Sequence, residues 1–146
     1  MRELPRQLSA EELAELFEGR TRLVELLATR EDPLGSADDA IAELDESEKL
    51  EALNAHPAIG ARSGLSARSA AEQGADADPV ILTELAYLNQ VYEEKFGFRF
   101  VVFVDGRPKT EILELLRGRL ERAREEELET ALRELVAIAR DRWEKS

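Results

Sequence analysis

The sequence predicts an all-α fold: a single compact multi-helix domain over residues 1–146, with one short extended segment at about residues 98–104 that has no partner strand. Apolar residues recur at the three- and four-residue spacing of a helix along most of the chain. The run at 98–104 is the one β-like stretch, and a lone strand cannot build a sheet. The length of 146 residues is typical of one domain.

The first predicted helix begins at a capping box formed by Ser9 and Glu12 and runs to about Thr29. The chain at 31–35 contains a proline and a glycine, which ends this helix. The apolar residues at helical spacing within it are Leu13, Leu16, Phe17, Leu23, Val24 and Leu27.

Two short helices are predicted next, with Ser36 and Ser47 as their N-caps. The second ends before Pro57, because a residue preceding proline is disfavoured in the α region. From 58 to 67 the chain has two glycines, two arginines and few large apolar residues, so we expect a loop there.

The second half of the chain predicts three longer helices. Asp78 and Pro79 are typical of a helix start, and Gly97 is a suitable left-handed residue to close that helix. Thr110 is the predicted cap of the next one, and the acidic run 125–127 suits the first turn of the last. Their apolar positions are Ile81, Leu82, Leu85, Leu88, Val91 and Tyr92; Ile112, Leu115, Leu116 and Leu120; and Leu128, Leu132, Leu135, Ile138, Ala139 and Trp143.

The extended segment 98–104 raises a hydrogen-bonding question, because buried backbone N–H and C=O groups need partners. A second copy of the segment in a dimer could supply them, as could neighbouring side chains and water. A small polar ligand bound to the backbone is the third possibility. The sequence leaves these three alternatives open.

Composition excludes several classes of function. The chain has 20 basic and 32 acidic residues and a net charge of −12, which disfavours nucleic acid and anionic membranes as partners. It has no cysteine and one histidine, so we expect no thiolate or histidine-cluster metal site. No apolar run reaches the 18 residues of a membrane span, and the N-terminal residues lack a signal core, so we expect a cytoplasmic protein.

A few residues are candidates for chemistry. His56 is the one side chain whose ordinary pKa lies near neutrality, although a histidine at a helix end can be purely structural. Ser69 and Glu72 fit a capping box, or they could bind a ligand at a helix N-terminus together with the amide of Gln73. Arg142 fits either a helix-end charge or a clamp for a carboxylate.

The order of these pieces along the chain resembles one family, the 2-oxo-4-hydroxy-4-carboxy-5-ureidoimidazoline (OHCU) decarboxylases. The resemblance begins at Phe17-Glu18-Gly19 and covers nearly the whole chain. Its motifs are His56-Pro57-Ala58-Ile59-Gly60, Ser69-Ala70-Ala71-Glu72-Gln73, Asn89-x-x-Tyr92-Glu93-Glu94-Lys95-Phe96-Gly97-Phe98-x-Phe100-Val101, Glu127-Leu128-x-x-Ala131-Leu132 and Ile138-Ala139-Arg140-x-Arg142.

This resemblance implies an all-helical, cofactor-free and metal-free enzyme of purine catabolism that forms (S)-allantoin, and family members are commonly homodimers. It implies that His56 is the catalytic proton donor and that Glu72 acts with it. The residues it assigns to a small-molecule substrate are Pro57, Ser69, Glu72, Gln73, the backbone of Phe100, Val101, Val102, Phe103 and Val104, and Arg142.

The chain also departs from the family pattern. Ala58 stands where a charged residue usually follows His-Pro, and the interval between His56 and Ser69 is a few residues short. A paralogue acting on a related ureido or keto acid is therefore an alternative, as is a helical interaction module without catalysis.

Overall fold

The computed structural model describes residues 7–57 and 78–145. Within these two ranges the chain forms helices and no β-strand, which confirms the all-α prediction. The helices are α1 (Ala10–Phe17), α2 (Arg22–Leu27), α3 (Ala37–Ala42), α4 (Glu46–Asn54), α5 (Pro79–Phe96), α6 (Lys109–Arg119) and α7 (Arg124–Lys145).

The prediction of one helix from Ser9 to about Thr29 is wrong, because the chain turns between α1 and α2. The capping box of Ser9 is present, but Glu18 adopts a left-handed conformation with φ 66° and ends α1. Thr21 then starts α2 by accepting a hydrogen bond from the Val24 amide. Gly19 lies so close to the end of α4 that an added Cβ would stand 3.3 Å from Ala55 Cβ. Tertiary packing therefore overrides the continuous apolar spacing.

Two of the predicted caps are also wrong in detail. Ser36 does precede α3, but its hydroxyl donates to the Asp32 carbonyl and caps no helical amide. Asp45, and not Ser47, caps α4, through a capping box with Glu48. Asp45 stands two residues before Ser47, and an aspartate N-cap is as favourable as a serine one.

The boundaries of α5 are as predicted. Asp78 caps it, Pro79 is its first residue, and Gly97 closes it with φ 81°. Helix α6 begins earlier than predicted, because Pro108 and not Thr110 is its N-cap residue. The Pro108 carbonyl accepts bonds from the Glu111 and Ile112 amides, so the first turn forms without a side-chain cap.

The core has two connected parts. In the first, α1 packs on α2 and α7, and α2 packs on α3 and α4. In the second, α5 packs on α6. An aromatic cluster with ring-centroid separations of 4.6–6.0 Å joins α5 to the segment that follows it, and its members are Tyr92, Phe96, Phe98 and Phe100.

The segment 98–104 forms no regular secondary structure and pairs with no other strand in the described part of the chain. Its Phe98, Phe100, Val101, Val102 and Val104 are nevertheless buried. The prediction of an apolar segment outside any sheet is confirmed.

None of the helices in residues 7–57 and 78–145 is long and apolar enough to cross a membrane.

Candidate active site

His56 lies just beyond the end of α4, where its amide donates to the Leu53 carbonyl at 3.2 Å. The residue is 8% exposed. Its buried Nδ1 atom has no hydrogen-bond partner among residues 7–57 and 78–145. Since buried polar atoms are normally paired, this nitrogen marks a place where a ligand could bond. Pro57 follows it and is half-buried.

Arg99 ties the start of the segment 98–104 to the end of α4. Its guanidinium Nη1 donates to the His56 carbonyl at 2.7 Å, and its backbone amide donates to Asn54 Oδ1 at 3.0 Å. A third contact is an ion pair with Glu93 at 3.6 Å. These bonds hold the extended segment beside His56.

Arg142 approaches the same place from α7 and is 2% exposed. Its Nη1 donates to the Leu16 carbonyl at 3.0 Å and forms an ion pair with Glu18 Oε1, also at 3.0 Å. Arg142 lies in the last turn of α7, as the helix-end alternative has it, but its side chain is buried. The carboxylate that the arginine binds here is the protein's own.

Four charged or titratable groups therefore share one site: His56 from α4, Glu18 from the end of α1, Arg99 from the extended segment and Arg142 from α7. Burial is the main cause that lowers the pKa of His56 from 6.5 to about 4. The positive charges of Arg142 and Arg99 act in the same direction, and the negative charge of Glu18 acts against them. The imidazole of the free protein is consequently neutral at pH 7.

Side chains supply some of the hydrogen-bond partners that the backbone of the extended segment needs. The Val101 carbonyl accepts a bond from Arg119 Nη1 at 2.8 Å, and the Phe103 amide donates to Glu134 Oε1 at 3.3 Å. Arg107 donates to the carbonyls of Phe103 and Val104. Phe100 and Val102 make no backbone–backbone hydrogen bond with another described residue.

Arg119 is part of a second buried cluster behind the extended segment. Its Nε donates to Glu127 Oε1 at 2.7 Å, and the Tyr92 hydroxyl donates to the same oxygen at 2.7 Å. Arg122 Nη1 donates to the other carboxylate oxygen at 3.1 Å. Burial and the bond to Glu127 raise the pKa of Tyr92. Glu127 thus belongs to the first turn of α7 as predicted, but it is fully buried.

Sequence reasoning missed Glu18 and Arg99 as neighbours of His56. Glu18 had one signal, its place in the Phe17-Glu18-Gly19 motif, and Arg99 is the one charged residue within an apolar run. Ser69, Glu72 and Gln73 lie outside the described residues. In the described ranges, no group of three or more histidine, aspartate or glutamate side chains could hold a metal ion.

Comparison with known proteins points to one family. The family model described as OHCU decarboxylase matches residues 2–144. A protein of Halalkalicoccus jeotgali, "2-oxo-4-hydroxy-4-carboxy-5-ureidoimidazoline decarboxylase", is 32% identical over 73% of this chain and 63% of its own length. A Bacillus subtilis protein, "Uric acid degradation bifunctional protein PucL", is 34% identical over 67% of this chain and 21% of its own length. The aligned part of the chain thus spans less than two thirds of each relative.

A solved structure has the same architecture. The "Crystal structure of OHCU decarboxylase in the presence of (S)-allantoin" superposes with a TM-score of 0.77 and 28% sequence identity. The alignment covers 92% of this chain and 96% of that one.

Proposed function

The chain belongs to the OHCU decarboxylase family, and on this premise we propose that it decarboxylates OHCU to (S)-allantoin in urate degradation. The observation that carries the proposal is the shared fold, over 92% of this chain, with the OHCU decarboxylase structure determined in the presence of (S)-allantoin. The buried imidazole of His56, with one ring nitrogen unpartnered in the described part of the chain, supplies a proton-transfer group.

The reaction needs an electron sink for the pair that remains when CO₂ leaves. The substrate's own ring offers unsaturated carbon–nitrogen and carbonyl groups next to the reacting centre, so the pair can delocalise there. The protein's tasks are to orient the carboxylate out of the ring plane, to exclude water and to protonate the resulting carbon on one face. We propose that no metal or organic cofactor takes part.

His56 is the group that we propose delivers this proton. In the free protein its pKa of about 4 leaves it neutral at pH 7, so it must first gain a proton. A substrate carboxylate beside the ring favours the charged imidazole, because an opposite charge within a few ångström raises a histidine's pKa. Binding of the anionic substrate therefore takes up one proton from water, and the decarboxylated carbon receives it.

Other residues hold the substrate in this proposal. Arg142 and the backbone groups of Phe100 and Val102 lie in buried positions where a polar ligand could bond to them. Residues 100–104 and Pro57 would line the ligand, with Ser69, Glu72 and Gln73 contributing side chains. Glu72 would accept bonds from ureido or ring N–H groups, which orients the ring relative to His56.

We further propose a single domain over residues 1–146 that acts as a cytoplasmic homodimer and binds no nucleic acid. The net charge of −12 supports the last point, since it repels phosphate backbones.

Val80 and Tyr87, seven residues apart on α5, are 70% and 63% exposed, and such an apolar face suits self-association. Light scattering of the parent and a Tyr87→Glu variant tests the dimer, which that charge should weaken.

The proposed activity is tested with chelated, dialysed protein and freshly generated OHCU. We expect CO₂ release well above the spontaneous rate without any addition. Activity that returns only with added metal would contradict the cofactor-free mechanism. Turnover of a related ureido acid with none of OHCU would instead indicate a paralogue.

A further inference from the structure

Glu18 has a conformation and a contact that its place at a helix end does not require. Its φ of 66° puts a non-glycine, non-asparagine residue in the left-handed region, which is uncommon for glutamate. The side chain turns inward, is 11% exposed, and reaches the buried guanidinium of Arg142. A solvated glutamate would need neither feature.

We propose that Glu18 is a positioning residue for the reaction: its carboxylate fixes the Arg142 guanidinium beside His56 and offsets the positive charge there. The inference rests on the proposed function and extends it to a residue outside the described ligand contacts. Two acceptors from the end of α1, the Leu16 carbonyl and the Glu18 carboxylate, both lie 3.0 Å from Arg142 Nη1. The carbonyl can fix position alone, whereas the carboxylate also supplies charge.

The charge matters because His56 faces two cations. Arg142 and Arg99 both disfavour the protonated imidazole, and Glu18 favours it. The proposed mechanism needs the protonated imidazole while substrate is bound. Without Glu18, a substrate carboxylate would have to overcome both arginines and the burial of the ring.

The direct test is the protonation of the chain's single histidine, followed by ¹⁵N NMR of the imidazole. Glu18→Gln keeps an oxygen that can accept the Arg142 bond but removes the charge. We expect the His56 midpoint to move to lower pH by about half a unit or more. The matched control is Glu15→Gln, which removes one charge from an exposed position of the same helix and should leave the midpoint in place.

Kinetics at pH 7 give a second readout that a purely structural role would not move. Glu18→Gln should lower kcat with little change in KM, because His56 becomes harder to charge. Glu18→Asp retains the charge, and aspartate tolerates a left-handed backbone, but it shortens the reach to Arg142. It should therefore raise KM, about threefold or more, with a smaller effect on kcat.

An unchanged His56 midpoint in Glu18→Gln, or an equal shift in Glu15→Gln, would overturn the proposal. If Glu18→Gln does not fold, an unchanged KM in Glu18→Asp would overturn it. The titration requires no turnover. A parent protein that fails to convert OHCU would therefore defeat the proposed function and leave the measured coupling of Glu18 to His56 intact.

Discussion

Two arginines are buried in the described part of this protein, and their surroundings differ. Arg119 supports the extended segment, whereas Arg142 lies at the candidate active site. Arg119 meets Glu127, the Val101 carbonyl and the ring of Phe100 at 4.6 Å, and its Glu127 partner also binds Tyr92 and Arg122. Arg142 meets the Leu16 carbonyl and Glu18, and its charge reaches His56.

A buried ion pair alone therefore does not indicate a reaction site, because both arginines have one. The cluster around Glu127 contains no histidine, and its Arg119 holds the extended segment through the Val101 carbonyl. The cluster around Arg142 contains His56, which has a ring nitrogen without a partner in residues 7–57 and 78–145. Arg119 Nη2 in the first cluster also lacks a partner among the described residues, so the feature that distinguishes the second cluster is its imidazole, a group that can donate and accept a proton.

The largest expected effect is on the stability of the Glu127 cluster. Glu127→Ala would leave Arg119 buried without its carboxylate, which typically costs about 3–5 kcal/mol. Glu46→Ala is the matched control, because its ion pair with Arg124 at 2.7 Å has exposed side chains and should contribute less than about 1 kcal/mol. Urea unfolding of both variants measures the difference. Equal losses of unfolding free energy in the two variants would show that burial does not strengthen the contribution of the Glu127 ion pair.

The next effect concerns His56 and acid. Its folded pKa of about 4 lies below the 6.5 of the unfolded chain, so between these values the unfolded state binds more protons. Its contribution to stability is present above pH 6.5 and is lost as the pH falls towards 4, by about 3 kcal/mol. His56→Asn should remove this part of the pH dependence. Parallel stability profiles for parent and variant would contradict a depressed pKa.

A smaller effect separates two roles of Glu72, which lies outside the described residues. If Glu72 only caps a helix, Glu72→Gln should melt like the parent and Glu72→Ala should lose about 1 kcal/mol. If it accepts hydrogen bonds from substrate, Glu72→Gln should fold normally but lose about 1–3 kcal/mol of transition-state binding in kcat/KM. We expect the second result. Unchanged kcat/KM and melting temperature in Glu72→Gln would leave capping as its role.

Helix boundaries could be predicted from the sequence where they depend on residues within one turn of the boundary. Asp78, Pro79 and Gly97 defined α5 because a cap, an initial proline and a left-handed glycine each act within one turn. The turn at Glu18 could not be predicted, since the apolar spacing from Leu13 to Leu27 continues through it. At this turn Gly19 comes so close to Ala55 that a Cβ would be crowded, and Glu18 pairs with Arg142; both partners are distant in sequence.

The candidate site likewise has residues that could be selected from the sequence and neighbours that depend on contacts distant in sequence. His56 could be selected from the sequence because it is the only imidazole, and Arg142 because the resemblance includes it. That Glu127 is buried, and that Glu18 and Arg99 lie beside His56, depends on how α7 and the extended segment pack. Such contacts leave no periodic or compositional signal.

The most direct measurement is the enantiomer of allantoin formed from fresh OHCU, followed by circular dichroism, with the parent protein and with His56→Asn. Spontaneous decay in water protonates both faces of the ring, whereas an imidazole fixed on one side protonates one face. We expect (S)-allantoin alone from the parent and racemic product, at close to the spontaneous rate, from a folded His56→Asn. A variant that kept the parental rate and still made one enantiomer would show that His56 is not the proton donor.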